Sequence, residues 1–358
     1  MPSAHADTTI TYSPSWTLIP THYCRNTCGY CVFVERTGEA AQLTSLQTAH
    51  VEIKRARQAG ATELLIMSGE GIHQSRAVRN ALRHDGFSTY INYLVSVARI
   101  ALEHDILPHI NIGNVTEAEV RALRQVVPSM GMMMESIDDD LRTKEAHRHA
   151  PDKEVARRLA TLHAAGRACM PFTTGILIGI GESTESREAS LRAIAEIQQT
   201  YGHIQEVIMQ PFTPHPGIAM ADHPPPNLAE MLDAVSLART ILPKEVAVQV
   251  PPNIAPQVVA LVEAGASDLG GISPDGDRIN PAERWLAPQT YDAALQPHGF
   301  TLRPRLAVHD SWISPHWLSP ETLQATVRVR RRLPGSQAQF SLPAFTSEQV
   351  DSVIHVRH

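Results

Sequence analysis

Residues 16–31 read WTLIPTHYCRNTCGYC, a short β-rich run followed by three cysteines with the spacing CxxxCxxC. The run at 16–20 predicts a strand, so the cysteines fall in the loop that leaves it. Gly29 permits the tight turn that three thiolates need if they are to surround one metal cluster. The sequence therefore predicts a cluster at the end of the first strand, held by Cys24, Cys28 and Cys31.

The chain that follows alternates β-rich runs with amphipathic helical stretches, the pattern of a parallel sheet covered by helices. Eight such β/α units predict an α/β fold, a TIM-type (β/α)8 barrel. The predicted strands are 16–20, 63–68, 107–112, 131–135, 172–178, 206–210, 245–250 and 267–272. The predicted helices are 46–59, 90–104, 117–126, 153–165, 185–200, 228–241 and 256–263.

Polar and glycine motifs follow the predicted strands in turn. In a TIM barrel the chemistry lies on the loops after the carboxyl ends of the strands, so these motifs should meet at one end of the barrel. They are 68–70 after the second strand, Asn114 after the third, Glu135-Ser136 closing the fourth and 179–182 after the fifth. We assign residues 1–313 to the barrel domain. Residues 314–358, rich in Pro, Ser, Arg and Gln, are expected to form a surface-wrapping, partly mobile C-terminal extension.

Composition excludes several classes of protein. A net charge of -6 from scattered charges gives no sign of a nucleic-acid partner. No apolar run is long enough to span a membrane, and the N-terminus lacks a signal peptide, so we expect a cytoplasmic protein without membrane attachment. Four cysteines are too few for a disulfide framework. The isolated Cys169 is expected to be a small buried apolar residue.

The number of cysteines in the triad indicates which metal centre it builds. A cubane cluster normally takes four protein thiolates, so three leave one iron open to another ligand. Structural zinc sites use four ligands, commonly in two pairs, and no second CxxC or HxxxH follows. A redox pair made of Cys28 and Cys31 would leave Cys24 unexplained. An iron–sulfur cluster is the favoured interpretation.

The CxxxCxxC pattern, with Tyr30 before the last cysteine, resembles that of the radical S-adenosylmethionine (SAM) superfamily. The resemblance implies a [4Fe-4S] cluster whose open iron binds the amino and carboxylate groups of SAM, which is then cleaved to a 5'-deoxyadenosyl radical. It also implies SAM contacts at Ser68-Gly69-Glu70, which resembles the GGE motif of the superfamily. Further contacts are implied at the end of strand four, on the helix that follows strand four, and after strand five. The matching residues are Ser68, Gly69, Glu70, Glu135, Ser136, Arg158, Gly179 and Ile180. For Arg158 a solvated helix face is the alternative.

The segments CRNTCGYCVF, MSGEG, YGHIQEVIMQPF, VQVPPNI and DLGGISP resemble the deazaflavin-forming radical SAM enzymes, over residues 12–313. The likeness is to the CofG-type subunits of 7,8-didemethyl-8-hydroxy-5-deazariboflavin (FO) synthase. It implies an ammonia-releasing carbon–nitrogen lyase that closes the deazaflavin ring of a hydroxybenzyl-ribityl-uracil adduct in coenzyme F420 biosynthesis. It further implies an external one-electron reductant and a functional partner, the CofH subunit, that makes the adduct.

Polar residues at the inner ends of later strands are candidates to hold the uracil and ribityl groups. They are Asn111, Asn114, Gln210, Asn253 and Asp268, and each could instead be a satisfied polar group of the barrel core. Two other functions remain open. The chain could be another radical SAM enzyme, such as the hydroxybenzyl-transferring subunit or a menaquinone-pathway enzyme, or an iron–sulfur protein that only carries electrons.

Overall fold

The computed structural model describes residues 9–34 and 42–333, in which eight parallel strands form a closed barrel with helices outside it. The barrel strands are β1 (Thr9–Leu18), β2 (Glu63–Met67), β3 (Leu107–Asn111), β4 (Ser129–Gly131), β5 (Phe172–Ile178), β6 (Ile204–Pro211), β7 (Ala247–Gln249) and β8 (Asp268–Ile272). Strand β1 closes the barrel because it pairs in parallel with β2 on one side and with β8 on the other. The predicted TIM-type fold is confirmed.

The helices cover the outer face of the barrel and bury their apolar faces against it. They are α1 (Leu46–Gln58), α2 (Arg76–His84), α3 (Tyr90–Glu103), α4 (Glu117–Arg124), α5 (Val155–Arg167), α6 (Thr184–Tyr201), α7 (Leu228–Ile241), α8 (Val258–Glu263), α9 (Pro288–Leu295) and α10 (Pro320–Arg330). Capping boxes formed by Thr116 with Glu119 and by Asn227 with Glu230 fix the starts of α4 and α7. No described helix is both long and apolar enough to cross a bilayer.

The fourth strand is shorter than predicted and lies earlier in the chain. Strand β4 spans Ser129–Gly131, whereas the sequence indicated 131–135. The chain stays beside β5, where the Glu135 amide donates to the Gly175 carbonyl at 3.1 Å. Glu135 itself has a φ of 67°, in the left-handed region that non-glycine residues rarely adopt. Beyond the end of β4, Glu135 forms an isolated parallel bridge with Ile176, and its side chain lines the cavity at the barrel mouth.

A ninth strand, β9 (Thr301–Pro304), was not predicted, and it pairs in parallel with the first half of β1. The segment that follows it crosses the amino-terminal end of the barrel. The backbone amide of Arg305 donates to the Tyr12 carbonyl at 2.7 Å. The Ser129 hydroxyl and the side-chain amide of Gln205 donate to the Ala307 carbonyl at 2.9 and 3.0 Å. This segment, 305–309, therefore bridges β1, β4 and β6 and closes the bottom of the barrel.

Helix α10 lies within the predicted C-terminal extension and packs on the barrel. It buries Leu323, Ala325 and Val329, and Arg332 just after it donates to the Ala61 carbonyl at 3.1 Å. Residues 334–358, the larger part of the predicted extension, lie outside the described residues. The division at Ile313 stays a prediction.

Candidate active site

Cys24, Cys28 and Cys31 line one cavity of about 340 Å³, which runs from the carboxyl ends of the strands down into the barrel. None of the three forms a disulfide. Their loop is held tightly at two glycines. A Cβ added at Gly69 would lie 2.3 Å from the Cys24 Cβ, and one added at Gly29 would lie 2.5 Å from the Glu145 carbonyl oxygen. The loop can take this path only because both positions lack a side chain.

Burial makes the thiols of Cys24 and Cys28 resist ionisation without a metal. Burial raises the pKa of Cys24, and it raises the pKa of Cys28 to about 12. One hydrogen bond works against this, since the Glu70 amide donates to the Cys24 sulfur at 3.2 Å. Iron must therefore displace protons from these thiols, because only thiolates are good metal ligands. Cys169 is half-buried, and the structure places it on the turn before β5, outside this cavity.

Two carboxylates and two cations meet beside the cysteines. Arg158 donates to Glu70 at 2.6 Å, and Lys153 donates to Glu135 at 2.5 Å and lies 3.5 Å from Glu70. All four side chains line the cavity. We call Glu70, Glu135, Lys153 and Arg158 the charge quartet. Its formal charges cancel, which is how four ionised groups can be buried together.

Mutual stabilisation within the charge quartet appears in the pKa shifts. Burial alone would raise the pKa of Glu135, but Lys153 and Arg158 hold it below its ordinary value. Burial and the Arg158 charge act to lower the pKa of Lys153, yet Glu135 and Glu70 keep it above its ordinary value. Glu135 and Lys153 are therefore charged at neutral pH. Sequence reasoning missed Lys153, because it read the residue only as the start of a helix.

Arg158 is 1% exposed, so its alternative reading as part of a solvated helix face is wrong. Its Nε atom has no hydrogen-bond partner among the described residues. The Glu70 carboxylate is more fully used, because it also accepts the Asn114 amide at 3.2 Å. Gly113 makes room for it, since a Cβ there would lie 2.1 Å from the Glu70 Cγ. Arg158 thus keeps a spare donor, whereas Glu70 serves mainly to orient the cations.

The remaining predicted SAM contacts divide into two groups. Ser68 and Gly69 line the cavity, but Ser136, Gly179 and Ile180 do not. The amides of Gly179 and Ile180 donate to the two carboxylate oxygens of Glu182 at 2.9 and 2.8 Å. The loop after β5 is therefore folded around its own glutamate.

The predicted substrate contacts divide in the same way. Asn111, Gln210 and Asn253 line the cavity. Asn114 is outside it and donates to the Asp152 carbonyl at 2.7 Å. Asp268 is fully buried beneath the cavity, where Arg305 donates to its two oxygens at 2.5 and 2.9 Å. Arg305, Glu63, His109, Glu206 and Gln249 line the deep end and were not predicted; four of them are polar residues on β2, β3, β6 and β7, and Arg305 follows β9.

The residues at the mouth fit the cofactors that the triad implies. Three thiols on one cavity, with no fourth cysteine among its described lining residues, match a cubane with one open iron. The spare donor of Arg158 and the charge of Lys153 suit a ligand carboxylate, and Glu70 and Glu135 suit its amino group or hydroxyls.

Comparisons with known proteins agree with this arrangement. Residues 18–194 match the model of the Radical SAM superfamily. The chain is 40% identical over 312 residues to 7,8-didemethyl-8-hydroxy-5-deazariboflavin synthase of Methanococcoides burtonii, covering 87% of this chain and 92% of the relative. It is also 40% identical over 337 residues to the enzyme of that name from Synechococcus elongatus, covering 93% and 95%.

Solved structures share the fold at lower sequence identity. The hydrogenase maturase HydG from Carboxydothermus hydrogenoformans superposes with a TM-score of 0.65 at 19% identity, covering 91% of this chain and 74% of that one. Methylornithine synthase PylB gives 0.63 at 18% identity, covering 82% and 84%. From the relatives' identity and coverage, this chain belongs to the radical SAM superfamily and, within it, to the 7,8-didemethyl-8-hydroxy-5-deazariboflavin synthase family.

Proposed function

We propose that this enzyme closes the deazaflavin ring in coenzyme F420 biosynthesis. It converts 5-amino-5-(4-hydroxybenzyl)-6-(D-ribitylimino)-5,6-dihydrouracil to FO, with release of ammonia, 5'-deoxyadenosine and methionine. The carrying observation is the 40% identity to named FO synthases over most of both chains. Its cofactors, as a radical SAM enzyme, are a [4Fe-4S] cluster and SAM. One cysteine triad serves one cluster, which supports one radical step rather than two.

The roles of individual residues are part of the proposal. Cys24, Cys28 and Cys31 hold the cluster, and Arg158 and Lys153 hold the carboxylate end of SAM. A cluster held there would supply the electron for cleavage of SAM, and so the radical that abstracts hydrogen from the adduct. Support comes from their position on one cavity wall and from the fixed geometry that the quartet gives the two cations.

The barrel lumen supplies the protection that radical chemistry needs. Met67, Met132 and Leu177 line the cavity between the cysteines and its deep end. An apolar wall at this level excludes water from the reacting groups. The amides of Asn111 and Gln210 lie in the same lumen and offer donors and acceptors to a uracil edge.

Three further parts of the proposal concern the surroundings of the enzyme. An external one-electron reductant feeds the cluster, and the CofH subunit supplies the adduct without having to remain bound. The cytoplasm is the proposed compartment, because the triad needs reduced thiols.

The direct test is anaerobic turnover with defined substrates. The cluster-loaded chain, given SAM, a chemical reductant and the adduct, should form fluorescent FO together with 5'-deoxyadenosine and ammonia. Given tyrosine and the ribityl-aminouracil without the partner subunit, it should form none. A Cys28→Ala variant should be inactive in both assays, while Cys169→Ala, which changes a cysteine outside the cavity, should behave like the wild type.

Other outcomes identify the competing functions. If the chain consumes free tyrosine and builds the adduct, it is the hydroxybenzyl-transferring enzyme. If it cleaves SAM but ignores both substrates, the superfamily assignment stands and the substrate is wrong. An electron carrier would release no 5'-deoxyadenosine under any of these conditions.

A further inference from the structure

The deep end of the cavity is polar although it is far from the cysteines. We call Ser15, Glu63, His109, Glu206, Gln249 and Arg305 the lumen floor; all six line the same cavity as the triad. On β2, Glu63 at the floor and Met67 near the mouth are four residues apart, which is about 13 Å along a strand. A ligand that reaches the floor therefore extends well away from the cluster loop.

Arg305 is the cation of the lumen floor, and its partners already neutralise it. It donates to Glu206 at 2.8 Å and to both oxygens of Asp268 at 2.5 and 2.9 Å. Glu206, Asp268 and His309 are close enough together to suggest a metal site. The guanidinium bonded to both carboxylates makes a metal ion unnecessary there. Arg305 thus fixes the floor and has little charge left for an anionic ligand.

Three other side chains of the floor carry polar atoms without partners. Glu63 accepts the Ser15 hydroxyl at 3.2 Å through one oxygen, and its second oxygen has no hydrogen bond within the described chain. The side-chain amide of Gln249 likewise has none with residues 9–34 and 42–333. Glu63, His109 and Gln249 are only 7%, 8% and 8% exposed. Their unpaired polar atoms face the cavity, where a ligand can pair with them.

The hydrogen-bond chain behind His109 sets which ring nitrogen faces the ligand. The Ser129 hydroxyl donates to the Ala307 carbonyl at 2.9 Å, so its oxygen must accept from His109 Nδ1, 2.8 Å away. Burial lowers the pKa of His109 and keeps the ring neutral. Its Nε2 atom is therefore an acceptor, and among the described residues it receives no hydrogen bond.

The floor thus offers acceptors and holds more carboxyl groups than cations. Glu63, Glu206 and Asp268 supply three carboxyl groups against the single guanidinium of Arg305, and burial raises the pKa of Asp268. A ligand segment that fits must donate several hydrogen bonds and must not be an anion. A chain of neutral hydroxyl groups satisfies both requirements, whereas a phosphate ester of that chain is an anion and fails the second.

We propose that the lumen floor binds the ribityl chain of the substrate through its hydroxyl groups and rejects the phosphate ester of that chain. The inference rests on the proposed function and adds the orientation of the substrate. The polyol lies at Glu63, His109 and Gln249, the uracil at the level of Gln210, and the reacting ring beside the cluster loop. The reaction that supplies this substrate must therefore deliver it without a phosphate.

Equilibrium binding of the product tests this without turnover. FO is fluorescent and carries the same chain, so its dissociation constant can be measured by titration of the cluster-loaded wild type. The probes are FO, an analogue with a pentyl group in place of ribityl, and the terminal phosphate ester of FO. Both altered probes should bind at least about tenfold more weakly than FO. The pentyl analogue leaves the acceptors of the floor unpaired, and the phosphate ester brings an anion to the floor carboxyl groups. Equal binding of either altered probe would overturn the corresponding half of the inference.

Two variants localise the effect. Glu63→Gln and His109→Phe should each raise the dissociation constant of FO about tenfold and leave that of the pentyl analogue unchanged. The preference for the hydroxyl-bearing probe is then lost. His203→Phe is the matched control, because His203 is another buried histidine but does not line the cavity. It should retain the wild-type preference. An unchanged preference for FO over the pentyl analogue in both floor variants would refute the assignment. If a variant loses its cluster, the titrations of the wild type with the three probes decide.

Turnover separates this inference from the proposed function. If the wild type does not convert the ribityl adduct to FO, the proposed function fails. If it converts the ribityl adduct and its pentyl analogue with the same KM, the function stands and the floor assignment fails.

Discussion

Replacing Arg158 with methionine removes one cation from the charge quartet and keeps most of the side-chain volume. The guanidinium is 1% exposed and donates to Glu70 at 2.6 Å, so the variant leaves a carboxylate pair facing Lys153 alone. Breaking a buried ion pair from one side costs about 3–5 kcal/mol. Unfolding entropy of about 2.1 cal/mol/K per residue gives about 0.75 kcal/mol/K for a chain of 358 residues. The Tm should therefore fall by about 4–7 °C.

The assay is anaerobic thermal unfolding of the cluster-loaded protein, together with SAM binding by equilibrium dialysis. The SAM dissociation constant should rise about tenfold or more, because a charge-assisted contact is lost. In the wild type the cations depress the pKa of Glu135, so their stabilisation is present above the unfolded pKa near 4.5 and is lost as pH falls through the folded value. The deficit of Arg158→Met should therefore shrink in acid.

A second substitution provides the control for this prediction. Arg158→Met combined with Glu70→Gln restores the charge balance, and it should recover part of the lost Tm but not the SAM affinity. If Arg158→Met lowers the Tm by less than about 1 °C and binds SAM normally, the quartet neither stabilises the mouth nor meets the cofactor.

Three further predictions concern the cluster loop. Cys28→Ala should abolish the cluster, measured as iron, sulfide and visible absorbance, while Cys169→Ala should load about four irons; zinc without sulfide would contradict the assignment. Because burial raises the pKa of Cys28 to about 12, loading must release protons, so iron affinity should rise with pH across the neutral range; a flat profile would mean that the thiols are already ionised. Gly69→Ala should displace Cys24 and impair loading, since its Cβ would lie 2.3 Å from the Cys24 Cβ, whereas Gly60→Ala, with nothing within 4 Å, should only strain the backbone.

The barrel was predictable because each strand is a short apolar run and each loop begins with a polar or glycine motif. Strand β9 and the segment after it were not predictable, because neither periodicity nor a turn motif marks a strand that pairs outside the barrel. The bend at Glu135 was also hidden, because a φ of 67° in a glutamate has no sequence pattern.

The triad could be located from its spacing alone, and Arg158 from its family motif. Lys153 and the lumen floor could not, because their importance depends on which strands become neighbours. Glu63 and Glu206 are far apart in sequence, and each resembles an ordinary surface charge until the barrel closes. Pairing across β1 then places Ser15 opposite Glu63 and turns both into interior residues.

The segment 305–309 closes one end of the barrel, so within residues 9–34 and 42–333 the lumen is a tube closed at that end and open at the cysteines. A ligand at the lumen floor must enter before SAM binds at the opening. It can leave only after the products of SAM have left. Steady-state kinetics should accordingly show compulsory-order addition, with the deazaflavin precursor first and SAM second. Methionine and 5'-deoxyadenosine should depart ahead of FO, whose escape then limits the turnover rate.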